Sequence, residues 1–127
     1  MSNKVLYTHE SVIDNFSNRN IKALAIYLYA KKRIKNSTIY KWNYKTVSEY
    51  LGLSYHKSYK YIKILKDKGF VYEHKGNLVF KSMYKVIKDV SKSTKGTKSI
   101  NIMWKDTLQD IEDKLITFKL AEQISRQ

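Results

Sequence analysis

The apolar positions between Asn43 and Ser82 change period twice, and each change marks a predicted element. Tyr44, Val47, Ser48 and Leu51 recur at helical spacing on one face, with Asn43 placed to cap the free amides and Gly52 placed to leave the helix through a left-handed turn. Leu53 follows as a plug between two helices, and Ser54 as the cap of a second. In that second helix Ser58, Ile62 and Leu65 form the inward set, while Tyr55, His56, Lys57, Tyr59, Lys60 and Lys63 point elsewhere. Lys68-Gly69 ends it. The period then shortens to two from Phe70 to His74, a turn follows at Lys75-Gly76-Asn77, and Leu78 to Lys81 returns as the second strand of a hairpin.

Upstream, Asn20 to about Lys32 is predicted as a further apolar helix. Downstream, Asp89 to Ser99 is polar and rich in Ser, Thr and Gly, as a loop or linker would be. From Ile100 a helical period returns: Trp104, Leu108, Ile111, Leu115 and Phe118 recur at steps of four and three, with Asp106, Asp110, Glu112, Asp113 and Lys114 on the other sides. Asp110 and Lys114 are spaced for an i,i+4 ion pair. This stripe has two readings, a homodimerisation helix or a helix that folds back to complete the domain's own core. The expected organisation is residues 1–88 as the main domain, 89–99 as linker and 100–127 as the amphipathic helix.

The helix, the turn Leu51-Gly52-Leu53-Ser54, the second helix with Ile62 and Leu65, Gly69-Phe70 and the hairpin together resemble the winged helix-turn-helix superfamily of DNA-binding domains. The match covers about a third of the chain directly, and more if the Asn20 helix opens the domain and Thr38 to Trp42 is its small first strand. Ser58 departs from the pattern, since that inward position is more often Val or Ala in such domains. The segment from His9 to Lys32 is more loosely similar to helix-turn-helix modules of phage and plasmid replication proteins.

The resemblance implies a mostly α fold with a small β-wing, an α+β domain. It implies insertion of Ser54 to Leu65 into the major groove of double-stranded DNA, with His74, Lys75 and Asn77 of the wing on phosphates or in the adjacent minor groove. The output it implies is transcriptional control by a small phage or mobile-element regulator acting as a homodimer. The alternatives are a replication-initiation or replisome module and a winged helix used for protein or virion contacts.

Charge sharpens this picture. The chain of 127 residues carries 25 Lys+Arg against 11 Asp+Glu, a net charge of +14. Residues 1–30 hold three basic and two acidic side chains, residues 31–88 fifteen and three, and residues 89–127 seven and six. The excess therefore lies on the segment that would meet a polyanion. Among the outward residues, Lys57, Lys60 and Lys63 suit phosphate or base contact, Tyr55 and Tyr59 suit phosphate or a thymine methyl, and His56 suits either edge or phosphate. Tyr27, Tyr29, Tyr44, Tyr50 and Tyr72 are expected in the core or at its edge, hydroxyls outward.

Other chemistry is not indicated. The chain has no Cys, which removes disulfides and thiolate metal sites, and His9, His56 and His74 show no ligand spacing. No phosphate-binding Gly loop or catalytic triad pattern is present, so neither an enzyme nor a small-molecule cofactor is expected. The most apolar window, Ala23 to Ala30, is too short to span a membrane, and a cytoplasmic, nucleoid-associated location is expected.

Overall fold

A computed structural model describes residues 4–33, 42–90 and 99–125. In chain order the elements are β1 (Lys4–His9), α1 (Glu10–Ile13), α2 (Ile21–Arg33), α3 (Tyr44–Leu51), α4 (Tyr55–Asp67), β2 (Val71–His74), β3 (Asn77–Phe80), α5 (Met83–Val90), β4 (Ser99–Met103) and α6 (Leu108–Ser125). Helix predominates, and the strands form two antiparallel pairs, β1 with β4 and β2 with β3. The fold is α+β.

Everything is arranged around α2. Ala23, Leu24, Ala25, Ile26, Tyr27, Leu28 and Ala30 are all fully buried, so this helix is covered nearly all round, as a central helix must be. It packs against α4 on one side and α6 on another, with β3 and the β1–β4 pair also in contact. Tyr27 lies edge-on to Phe70 at 5.3 Å and stacks near Phe80 at 6.3 Å, and its hydroxyl donates to the Lys81 carbonyl at 2.5 Å. Phe16 meets Phe70 edge-on at 5.3 Å, so α1's trailing turn closes the same aromatic cluster.

The predicted helix, turn and helix form as read. Asn43 accepts from the Thr46 amide at 2.9 Å, and Ser54 accepts from the Lys57 amide at 3.2 Å. Gly52 has φ 68°, and the amides of Gly52 and Leu53 reach back to the carbonyls of Glu49 and Ser48. Gly69, with φ 81°, ends α4 the same way: its own amide goes to Lys66 and that of Phe70 to Leu65, a Schellman closure that leaves Leu65 and Phe70 buried together. The hairpin turn is one residue tighter than expected. Asn77 pairs with His74 as the first residue of β3, and only Lys75 (φ 51°) and Gly76 (φ 80°) form the loop. The expected strand from Thr38 lies outside the described residues except for Trp42, whose carbonyl accepts from Leu78 of β3 at 2.7 Å.

The C-terminal third differs from its sequence reading. Residues 99–103 are a strand, paired Leu6 to Ile102 and Thr8 to Ile100, where a helix was expected to begin. Ile100, Asn101 and Ile102 alternate at period two, and that signal wins once β1 supplies the partner. Trp104 consequently sits in the turn after β4, not at the head of the helix. The helix starts at Leu108, where Thr107 and Asp110 cap each other reciprocally: Asp110 N donates to Thr107 Oγ1 at 3.1 Å, and Thr107 N to Asp110 Oδ2 at 2.9 Å. Asp110 is thus occupied, and Lys114 turns to Asp106 at 2.6 Å instead of forming the expected i,i+4 pair. Of the expected linker, Asp89 belongs to α5 and pairs with Lys81 at 3.7 Å, Ser99 opens β4, and residues 91–98 lie outside the described residues.

Candidate nucleic-acid interface

On α4 the buried line Ser58, Ile62 and Leu65 fixes which side chains can leave the protein. His56, Lys60 and Lys63, spaced i, i+4, i+7, form the exposed line most nearly opposite it. Lys57 is exposed on the flank toward Tyr61; Lys60 leans that way too, its ammonium 5.6 Å from the Tyr61 ring. Tyr55 and Tyr59 are exposed on the other flank, facing Tyr44 of α3 with ring centroids at 6.1 Å and 5.1 Å. The only carboxylate on α4 is Asp67, in its last turn.

The hairpin is tied to these helices through a polar triad. Glu73 Oε1 accepts from Lys66 Nζ at 2.6 Å and from the Tyr44 hydroxyl at 3.1 Å, and Lys66 also reaches that hydroxyl at 3.4 Å. The hydrogen bond to Lys66, then that from Tyr44, holds the Glu73 carboxyl below its ordinary range, and the same bond raises the Lys66 ammonium. Tyr44 is raised, first by partial burial and then by its bond to Glu73. Alternation along β2 places Tyr72 and His74 on the opposite face of the hairpin from Glu73. Lys75 stands exposed at the tip and Asn77 half-buried beside it. Of the nine expected contact residues, the structure therefore groups His56, Lys60 and Lys63 on one line, with Lys57 on one flank and Tyr55 and Tyr59 on the other. His74 is turned to the hairpin's far side.

Part of the basic excess is structural. Lys31 is buried, its ammonium 3.4 Å from the Phe80 carbonyl, and burial lowers its pKa to about 8. Lys32 is also buried; it donates to the Asp106 carbonyl and lies 4.5 Å from the Tyr29 ring. Burial lowers it, against the opposing pull of Asp106 and Asp110. Lys68 donates to the Asn15 carbonyl and covers the Phe16 ring at 5.0 Å. The exposed ammonium groups that remain between residues 42 and 90 include Lys45, Lys57, Lys60, Lys63, Lys75, Lys85 and Lys88.

Sequence reasoning missed the triad. It placed Tyr44 in the core or at its edge with the hydroxyl outward, which fits its partly buried position, but gave that hydroxyl no partner, and the Lys66–Glu73 link joins a helix to a strand, a spacing with no local signature.

The stripe considered for dimerisation is occupied within the chain. Ile111 and Leu115 are fully buried, and Leu108 and Phe118 pack partly buried against the core. Trp104, 57% exposed, is off the helix. The stripe completes the domain's own core because α2, buried nearly all round, requires a second cover once α4 has taken the first. Asp106 braces the junction: burial pushes its carboxyl up, but hydrogen bonds from Lys114 and the Met103 amide, with Lys32 nearby, outweigh this and lower it overall.

Among the described residues no helix is long and apolar enough to cross a membrane, and no group of three His, Asp or Glu side chains is placed to hold a metal ion. The chain matches no protein-family model, no curated protein and no solved structure.

Proposed function

We propose that α3, the turn, α4 and the β2–β3 hairpin act as a winged helix-turn-helix that binds double-stranded DNA. The observation that carries this reading is the line His56, Lys60, Lys63 on a helix whose opposite side is locked into the core. A rigid helix with one cationic outer face suits the major groove, where lysine meets guanine edges or flanking phosphates. The hairpin tip, bearing Lys75, would reach the backbone beside it. Transcriptional control in a cytoplasmic setting is the output this favours. A two-fold regulator would pair through a surface other than the buried stripe, and the outer side of α6 exposes Ile116, Leu120 and Ile124 for such use. A replication role keeps the same contact face.

The test is an anisotropy titration with a labelled duplex across a range of salt. Several exposed lysines on one face predict release of roughly 3 to 6 counterions, so affinity should fall steeply, by about 0.9 log unit per phosphate for each log unit of salt. Binding that does not change with salt, or no binding, would exclude the proposal.

A further inference from the structure

Tyr55 and Tyr59 do not fit the edge-reading role of their neighbours. They stand one turn apart, set back from the line of His56, Lys60 and Lys63, and their rings pack at 54° and 38° to that of Tyr44. Tyr44 is itself anchored by Glu73 and Lys66. Pinned at that contact, the two outer rings are poorly placed to extend toward a groove floor. They nevertheless keep 57% and 47% of their surface open. What the cluster offers is aromatic surface held in place from behind.

The chemistry around it selects among occupants. Lys63 follows Tyr59 by four residues and so continues the same ridge with an exposed ammonium, and Lys45, next to Tyr44, is exposed as well. The nearby carboxylate of Glu73 is already engaged by Lys66. Aromatic surface followed by cations matches a base that stacks and a phosphate that pairs. In a duplex each base face is covered by its neighbours. Only an unpaired base can present one.

We infer that this face takes DNA in which an unpaired base lies beside a paired segment, the base stacking on Tyr55 and Tyr59. The inference rests on the duplex-binding reading of the adjoining line. It narrows the ligand to a locally opened duplex.

The experiment compares three labelled probes at one salt concentration: a paired duplex, the same duplex with a central run of mismatches, and oligothymidine. The wild-type protein should bind the mismatched duplex about tenfold more tightly than the paired one. Tyr55→Ala/Tyr59→Ala should abolish that gain, read as the ratio of the two affinities, whereas Tyr55→Phe/Tyr59→Phe should keep it, because stacking needs the ring and not the hydroxyl. Both residues lie outside the buried core and touch only Tyr44 among the rings, so the variants should stay folded, which thermal melting checks. Equal affinity for paired and mismatched probes, or a gain that survives removal of both rings, overturns the inference while leaving duplex binding intact. If the paired duplex does not bind, the duplex reading falls by itself. Ring-dependent binding of oligothymidine would then still support the stacking face, and its absence would overturn that too.

Discussion

The two halves of this molecule use opposite means to reach the same core. The α3–turn–α4–hairpin unit is assembled by neighbours in sequence: two side-chain N-caps, two glycine-closed helix ends and a two-residue hairpin loop. The other half joins residues far apart, with β1 pairing to β4 and α6 lying on α2. Local closure places an exposed face reproducibly. Distant closure contributes burial, and in this fold it also holds buried Lys32 in place through the Asp106 carbonyl.

The largest expected effect would come from breaking the distant half. Leu115→Ala removes a fully buried side chain between α6 and α2, and should cost about 2–5 kcal/mol in denaturant unfolding. In a domain whose whole stability is about 5–15 kcal/mol, that is enough to show in binding assays only through loss of folded protein. A Leu115→Ala protein that melts as wild type while sedimenting as a smaller species would restore the dimer reading of the stripe.

A second comparison sets two lysines against each other. Lys60→Ala should weaken duplex binding by about 1–3 kcal/mol if the side chain contacts a base, with no change in melting. Lys114→Ala should do the reverse, because it strips a partner from Asp106, whose side chain is only 7% exposed. A loss of about 1–3 kcal/mol in stability is expected there, at unchanged affinity per folded molecule. Equal binding losses from both would mean that the docking face is not on α4.

Lys31, on α2 against the Phe80 carbonyl of the hairpin, gives the core that both halves share a pH signature. Its folded pKa, about 8, lies below the unfolded 10.5, so between these values the unfolded chain binds more protons and stability rises with pH. The slope should reach up to about 1.4 kcal/mol per pH unit within that window. Tyr27 works the other way: burial raises its phenol above the ordinary 10.0, so the unfolded chain ionises first and stability falls at higher pH. Melting curves should therefore show a maximum near pH 10. Lys31→Met should flatten the rising limb, leaving only what the other buried ammonium, Lys32, adds with the same sign, and a wild-type protein with flat stability from pH 8 to roughly 10 would show that neither ammonium is desolvated in the fold.

The smallest effect sharpens the local half. Ser58 Oγ is buried without a hydrogen-bond partner among the described residues. Ser58→Ala should stabilise by about 1 kcal/mol, through removal of an unsatisfied hydroxyl and a gain in helix propensity. A destabilised Ser58→Ala protein would show that the hydroxyl is satisfied in solution.

The sequence by itself determined where α3 and α4 begin and end, because a cap, a left-handed glycine and a Schellman closure are decided by residues within about one turn of one another. It also determined that Ser58, Ile62 and Leu65 face in, since periodicity is a property of the segment alone. It did not determine what Ile100 to Trp104 would become. Alternation and helical spacing were both present there, and only β1, some ninety residues away, chose between them. Nor could it separate structural lysines from exposed ones: Lys31 and Lys32 belong to the same basic run by composition, yet the packing of α2 buries both. The Tyr44–Glu73–Lys66 triad likewise exists only because α3, α4 and β2 converge. Net charge is additive along a chain. Which charges face the solvent is settled by the close packing of elements that sequence distance keeps apart.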